Sequence, residues 1–274
     1  MKTRLNRTAV IAALYAALLA LPAMGAVIYD SIPGGPPPNV PSLGYEATST
    51  TEFGDLINFA GTDRTLHSVT VLMSDWALAA DYSALNPNTP WQHPLTFNLY
   101  TVDNTGVVPQ PGSLIATRTD TFEIPWRPEA SAGCGTAWRA DDGNCYNGFA
   151  FTVTFDFTGV TVPDQIIYGL SYNTADYGVA PIGTRGPYNS LNFGFAEVEP
   201  SVGSRPFPDT AYWNTSFGGF YTDGGLGGVG TFRQDTNWTP YSGAVSFDTV
   251  PEPATCLLFG MGLLGLGLVR RRRS

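Results

Sequence analysis

The feature that most constrains the fold is a two-residue alternation of apolar and polar side chains. In the stretch GFAFTVTFDFTG, one set of alternate positions is Phe149, Phe151, Val153, Phe155 and Phe157, and the other set is mainly threonine and aspartate. Successive side chains of a β-strand point to opposite faces, so this stretch predicts an antiparallel strand with one face in the core and one in solvent.

The same alternation recurs along the middle of the chain, in LTFNLYTV, QIIYGLSY and SLNFGFAEV, and less regularly in EFGDLINFA, LHSVTVLMS, SLIATRTDTFEI and GAVSFD. Each run is short and bounded by Gly, Pro, Asn or Asp, which is typical of a sandwich or jelly roll. No segment of the middle has the apolar spacing of an amphipathic helix, and 31 glycines and 22 prolines favour turns. The sequence therefore predicts an all-β fold, an antiparallel β-sandwich that is jelly-roll-like.

Two stretches of the middle are predicted to be loops. IPGGPPPNVPSLG favours a stiff, extended lead-in, because proline runs adopt an open left-handed helix without internal hydrogen bonds. The stretch from Pro200 to Pro240 alternates aromatic residues with glycines. A loop of that length within a compact domain is usually functional or packed as a flap over the core.

The N-terminal residues have the pattern of a secretory signal peptide. Lys2, Arg4 and Arg7 precede an apolar run from Ala9 to Leu21, which leads into the small residues PAMGA. This order predicts a signal helix within residues 1–26 and export through the Sec translocon. A retained membrane helix is the alternative, but the apolar run is shorter than the roughly 20 residues that span a bilayer.

The charge of the middle of the chain argues against one class of partner. Between Val27 and Val250 there are seven arginines, no lysine and 22 acidic residues, a net charge of −15. Nucleic-acid binding rests on lysine and arginine contacts to phosphates, so no nucleic-acid partner is expected. The same charge favours the solubility of an exported domain through self-repulsion.

The two cysteines in the middle of the chain are expected to form a disulfide. Cys134 and Cys145 flank GTAWRADDGN, which can fold back as a loop, and disulfides persist outside the cytoplasm. A zinc or redox pair is the alternative, but the sequence has neither a second pair nor a CxxC spacing.

No catalytic constellation is evident, and neither enzyme activity nor a cofactor is predicted. Histidine is the usual general base, and the chain has only His67 and His93, neither of which adjoins a nucleophile motif or a second metal ligand. A glycoside hydrolase is an alternative, because such enzymes use two carboxylates across the scissile bond. The candidate carboxylates, most of them expected on a solvated surface, are Asp75, Asp81, Asp103, Glu123, Asp156, Glu197 and Glu199.

No metal site is predicted either. Asp141, Asp142 and Asn144 in RADDGNCYN offer oxygen atoms that suit calcium. Their spacing does not match the longer loop of an EF-hand, and Asp-Gly is an ordinary turn former. A turn is therefore the interpretation favoured over an ion site.

Aromatic residues in and beside the predicted long loop are candidates for sugar contact. Trp213, Trp238 and Tyr241 are the candidates, with Tyr212 beside them. Exposed aromatic patches usually mean recognition, whereas burial in the core or under a flap is the alternative. A folded structure with Trp213 and Trp238 buried would count against sugar binding there.

The C-terminal segment combines three elements in order. Pro251, Glu252 and Pro253 come first, an uncharged apolar run from Ala254 to Val269 follows, and Arg270, Arg271, Arg272 and Arg273 complete the segment. The apolar run predicts a short, glycine-rich membrane helix, and the arginines act as a cytoplasmic stop that leaves the β domain outside. The helix is expected to be a transient anchor. An acylated Cys256 is an alternative use of the run.

Together these elements resemble the PEP-CTERM sorting signal of exported bacterial proteins. The resemblance implies recognition by a membrane-embedded exosortase that cleaves near Pro251, Glu252 and Pro253, typically in Gram-negative bacteria that make exopolysaccharide. It covers only this segment. It implies no residue roles in the middle of the chain.

The combined prediction is a signal peptide at 1–26, a β-sandwich domain at 27–249 and a sorting tail at 250–274. The function predicted is that of a structural or adhesive protein, held at the inner membrane transiently and then placed at the cell surface or outside the cell. A carbohydrate-binding module that acts on extracellular polysaccharide is the alternative.

Overall fold

The computed structural model describes residues 25–35 and 37–250, and here the chain forms fifteen β-strands and three short 3-10 helices, with no α-helix. The strands are β1 Val27–Asp30, β2 Ser42–Gly44, β3 Thr50–Asn58, β4 Leu66–Asp75, β5 Trp91–Asp103, β6 Gln110–Ile124, β7 Trp138–Arg139, β8 Cys145–Tyr146, β9 Phe149–Asp156, β10 Gln165–Ser171, β11 Leu191–Ala196, β12 Thr210–Thr215, β13 Arg233–Thr236, β14 Ser242–Gly243 and β15 Val245–Thr249. The 3-10 helices are η1 Ala79–Asp81, η2 Pro187–Ser190 and η3 Gly218–Phe220.

The two predicted terminal helices lie outside the described residues. Among the residues that are described, no helix has the length and apolar character needed to cross a membrane. The described strands all belong to one compact unit, Val27–Thr249.

Nearly all of the strands belong to two antiparallel sheets. The six-stranded sheet has the order β13-β12-β3-β10-β5-β6. The seven-stranded sheet has the order β1-β15-β4-β11-β14, with β9 paired to β4 and β2 paired to β11. Strands β7 and β8 form a separate small hairpin. The first strand, β1, therefore lies beside the last strand, β15, with Val27 opposite Asp248.

The sheets pack face to face through aromatic side chains. Phe97 of β5 lies 5.6 Å from Phe155 of β9 and 6.0 Å from Phe247 of β15, measured between ring centroids. Phe53 of β3 contacts Phe193 of β11 in the same way, at 6.1 Å. The all-β, antiparallel, sandwich-like fold is confirmed, whereas jelly-roll connectivity stays a prediction.

The predicted alternation matches the burial seen in several strands but not in β10, where every residue from Ile166 to Ser171 is buried. In β9, Val153 and Phe155 are buried, while Thr152, Thr154 and Asp156 are exposed. Leu95, Phe97 and Leu99 of β5 and Leu191, Phe193 and Phe195 of β11 are likewise buried. Alternate burial is expected where one sheet face meets the core and the other meets water.

The prediction of one long loop between Pro200 and Pro240 was wrong in part. The stretch contains β12 and β13, and β12 pairs with β3, with Trp213 opposite Phe53. Tyr212 and Trp213 are adjacent and both buried, because Phe232 covers the outer face of the sheet at Tyr212 while Trp213 enters the core between the sheets. With both faces of β12 covered, no alternation marks the strand in the sequence.

A buried ion pair connects this stretch to the six-stranded sheet. Arg205 Nε lies 2.6 Å from Asp55 Oδ2, and both side chains are almost completely buried. The guanidinium also donates to the carbonyl oxygens of Thr210 and Tyr241. Removal of either charge would leave the other buried without a partner, which is strongly destabilising.

Candidate functional site

A cleft of about 330 Å³ lies at one end of the sandwich. Its walls come from the loop before β5 (residues 85–90), from Trp91 and Gln92 at the start of β5, from Trp126 just beyond β6, and from Pro187 and Tyr188 of η2. The volume is near the lower bound for clefts that hold small ligands, about 300 Å³.

Strand pairing brings the aromatic residues of the cleft together. Trp91 is the register partner of Ile124, so Trp126, two residues further on, lies beside Trp91, with ring centroids 6.1 Å apart. Helix η2 leads directly into β11 of the other sheet, and it contributes Tyr188 to the lining. The cleft is therefore lined by β5 of the six-stranded sheet and by the η2 helix that precedes β11 of the seven-stranded sheet.

Hydrogen bonds and ring contacts hold the half-buried rings of Trp126 and Tyr188 in place. The indole N–H of Trp126 donates to the carbonyl oxygen of Thr89 at 2.8 Å, and the ring stacks on Tyr82 with centroids 5.9 Å apart. The ring of Tyr188 stacks on His93 with centroids 5.2 Å apart, and its hydroxyl donates to the carbonyl oxygen of Thr184. Rings fixed in this way lose little freedom when a ligand binds.

A buried carboxylate, that of Asp75, is hydrogen-bonded to a residue that lines the cleft. Asp75, at the end of β4, accepts the indole N–H of Trp91 at 3.2 Å and the backbone N–H of Ala77 at 3.1 Å. Burial raises the pKa of Asp75 to about 7, although these hydrogen bonds and the charge of Arg127 act in the opposite direction. Asp75 thus links the end of one sheet to the start of β5 in the other, and it does not line the cleft.

His93 is a neutral structural residue behind Tyr188. Its Nε2 lies 2.8 Å from the carbonyl oxygen of Asn173, which only accepts hydrogen bonds, so Nε2 carries the proton. Burial lowers the pKa of His93 to about 4, so the ring is uncharged at neutral pH. The other histidine, His67, lies in β4, and its Nδ1 is 3.0 Å from the hydroxyl of Thr158.

The residues that line the cleft carry no charge. The described lining consists of aromatic, proline, leucine, amide and threonine side chains. Among the carboxylates considered for catalysis, Asp75 is buried, while Asp103 and Asp156 accept hydrogen bonds from Thr105 and Thr158 in their own turns. No carboxylate is among the described lining residues of the cleft.

A second cleft of about 390 Å³ lies between the β5–β6 hairpin and the segment that precedes β13. Its one charged lining residue, Arg233, already pairs with Asp223 at 2.8 Å and lies over the ring of Tyr221. Since this cation is engaged within the chain, the first cleft is the stronger candidate for binding.

The aromatic residues predicted to contact sugar lie elsewhere. Trp213 is only 3% exposed, and its indole N–H donates to the hydroxyl of Thr50. Trp238 is half-buried, packs 4.8 Å from Phe53 and donates to Asp235, and Tyr241 is also half-buried beside the core. Burial of Trp213 counts against the predicted sugar contact there, because the ring has no open face.

Sequence reasoning missed Trp126 and Tyr188. The stretch IPWRP contains a signal that points to Trp126, because a tryptophan between two prolines just beyond a strand is confined to irregular backbone at the surface. For Tyr188 no such signal exists, since GPYNS is an ordinary turn sequence.

The disulfide between Cys134 and Cys145 is present, with Cα atoms 5.6 Å apart. It closes the hairpin of β7 and β8, and the buried Arg127 holds this segment by donating to the carbonyl oxygens of Thr136 and Asn147. The segment therefore has both a covalent and a hydrogen-bonded attachment.

The carboxylate of Asp142 accepts its hydrogen bonds from residues that follow it closely in the chain. Asp142 accepts hydrogen bonds from the hydroxyl of Tyr146 and from the backbone and side chain of Asn144, which lower its pKa. Across the described residues, no group of three or more His, Cys, Asp or Glu side chains could hold a metal ion. The geometry at Asp142 is that of a turn.

Comparison with known proteins identifies one segment. No curated protein and no solved structure matches the chain. A family comparison matches the PEP-CTERM protein-sorting motif over residues 249–273. The match spans Pro251, Glu252, Pro253 and the arginines 270–273, all of which lie outside the described residues. The chain therefore carries a PEP-CTERM protein-sorting motif in its C-terminal segment.

Proposed function

We propose that this protein is exported, processed by an exosortase-type membrane protease and retained at the cell surface or released outside, where it acts as a structural or adhesive β protein. The sorting motif over residues 249–273 is the observation that supports the proposal. The signal-peptide pattern of residues 1–26 supplies the route through the Sec translocon that such a motif requires.

The physical properties of the segments agree with this pathway. Pro251 and Pro253 lack N–H donors and favour extended backbone, so they disfavour helix in the cleavage region. The arginines 270–273 remain cytoplasmic, which leaves the domain at 27–249 outside the inner membrane of a Gram-negative cell. The disulfide and the net charge of −15 between Val27 and Val250 suit a soluble extracellular domain.

Binding of extracellular polysaccharide is a second candidate function. The cleft at Trp126 and Tyr188 favours it, because clefts with fixed aromatic rings and a few polar groups are typical of ligand sites. We propose a binding function and no catalysis for this cleft.

The sorting proposal is tested by the intact mass of protein recovered from its host, with membrane and medium fractionated separately. We expect a species that begins near Val27, ends near Pro251–Pro253 and gains two mass units on reduction. The variant Glu252→Ala is expected to keep the arginines 270–273 and to remain in the membrane fraction. The control is Glu197→Ala, which removes an exposed glutamate outside the motif.

Two outcomes contradict the sorting proposal. One is a wild-type protein that keeps the arginines 270–273 in the membrane, which makes the tail a plain anchor. The other is unchanged processing in a host from which the exosortase has been deleted.

A further inference from the structure

We propose that the cleft at Trp126 and Tyr188 binds a neutral glycan, with these two rings as the platforms for sugar rings. The inference rests on the second candidate function above and names its site and ligand class. Nothing in the matched motif concerns this cleft, because the motif covers residues 249–273 alone.

The rings have the properties that sugar stacking requires. Pyranose rings present apolar C–H faces and polar edges, so their partners are flat apolar surfaces with hydrogen-bonding groups nearby. Trp126 and Tyr188 are half-buried and both line the cleft, and each has its polar atom engaged with a backbone carbonyl. Their ring surfaces therefore serve as apolar contact area in a fixed orientation.

Polar groups for the sugar hydroxyls are available beside the rings. Gln92 is exposed at the start of β5, and its amide makes no hydrogen bond within the described chain. Asn86 uses its Oδ1 to accept the backbone N–H of Asn88, which leaves its amide N–H groups for a ligand. Amide side chains both donate and accept, which matches the dual character of a hydroxyl group.

The charge of the cleft selects a neutral ligand. None of the described lining residues is ionisable at neutral pH, since Tyr188 keeps its proton with a raised pKa. An acidic glycan needs a cation, and none is among the described lining residues; Arg127, next to Trp126 in the chain, donates to the carbonyl oxygens of Thr136 and Asn147. The net charge of −15 between Val27 and Val250 further repels polyanions.

The size of the cleft restricts the ligand to a short stretch of chain. A volume of about 330 Å³ suits a small ligand and is too small for a folded partner. The contact is therefore with a few sugar units of a longer polymer, and such weak contacts gain strength when many copies bind one polysaccharide.

Affinity electrophoresis of the protein purified from its host tests the inference. Native gels would contain laminarin or galactomannan as neutral probes and alginate as an acidic probe. We expect slower migration with at least one neutral probe and none with alginate. The variant Trp126→Ala should weaken retardation at least about tenfold, because one central aromatic residue often dominates a small interface.

A matched control separates the cleft from exposed aromatic residues in general. Trp76 is 43% exposed and does not line the cleft, so Trp76→Ala should be retarded like the wild type. If Trp126→Ala fails to fold, as judged by near-UV circular dichroism, Tyr188→Ala and Gln92→Ala take its place in the test.

Three outcomes overturn the inference: no retardation by either neutral probe, retardation by alginate alone, or unchanged retardation of folded cleft variants. Each outcome is independent of tail processing, which the mass measurement reads directly. Failure of glycan binding would therefore leave the sorting proposal standing.

Discussion

Replacement of Asp75 by asparagine should remove a large pH dependence from the stability of the protein. Asp75 is fully buried at the junction of β4 and β5, and its folded pKa of about 7 lies well above the ordinary value of 3.8. Between these two pH values the folded protein keeps a proton that the unfolded chain has released. The site therefore stabilises the fold fully below about pH 4, and this stabilisation is lost as the pH rises through 7.

The size of the effect follows from the pKa difference. Each pKa unit corresponds to about 1.4 kcal/mol, so a rise from 3.8 to about 7 changes the free energy of unfolding by up to about 4 kcal/mol. Asparagine keeps the size of the side chain and stays neutral at every pH. Its single carbonyl oxygen replaces two acceptors, which costs about 1 kcal/mol. Asp75→Asn should therefore be more stable than the wild type above pH 8 and slightly less stable near pH 4.

Urea unfolding followed by tryptophan fluorescence at pH 4, 5.5, 7 and 8.5 measures this difference. The unfolding free energy of Asp75→Asn is subtracted from that of the wild type at each pH, which removes the contributions of the other titrating groups. Asp81→Asn, which alters an exposed aspartate, is the control and should leave the pH profile parallel to that of the wild type. A difference that does not vary with pH would refute the reasoning. A wild type that gains relative stability as pH rises would show that Asp75 is ionised and stabilised by Arg127.

Two further predictions concern the framework of the domain. The double variant Cys134→Ser with Cys145→Ser should lower the free energy of urea unfolding by about 3 kcal/mol, because the disulfide closes a loop with a sequence separation of 11. Reduced wild type should unfold at the same urea concentration as this variant. A fall in the free energy of unfolding well above about 3 kcal/mol would contradict a purely entropic origin of the stabilisation. Gly54→Ala should prevent folding, since its Cβ would lie 1.7 Å from the carbonyl oxygen of Tyr168, which is backbone and cannot move aside. Gly34→Ala, with open space around the Cβ, is its control, and a normally folded Gly54→Ala in circular dichroism would disprove the close approach.

The sequence predicts the strands that have one face in the core and one in solvent. In β5 and β9 most of the side chains that face solvent are polar, so the period of two is visible along the chain. Strand β12 escaped prediction because Tyr212 and Trp213 are buried on opposite faces. A strand covered on both sides has no alternation to detect, and its glycine-rich neighbours obscured it further.

The cleft could not be predicted from the sequence, for a different reason. Trp91 and Trp126 meet only because β5 and β6 pair in one particular register, and Tyr188 joins them from a helix that leads into the other sheet. The register of this hairpin shifts at Leu99/Tyr100 and again at Tyr100/Val102, and such irregularities are not visible in the alternation of the sequence. The disulfide was easier to predict, because Cys134 and Cys145 are separated by only 11 positions in the sequence.

The pairing of β1 with β15 determines where a linker or a fused protein would attach to this domain. Val27 lies opposite Asp248, so the two ends of the folded unit leave it at one corner. The processing proposed above would act at that corner, and removal of the segments beyond Val27 and Thr249 would leave both sheets intact. A short peptide that linked Val27 to Thr249 would close the unit into a ring, and new ends could then be opened at an exposed turn such as Thr105. A carrier fused to either end would be held next to the same corner, with the cleft and the disulfide hairpin left in place.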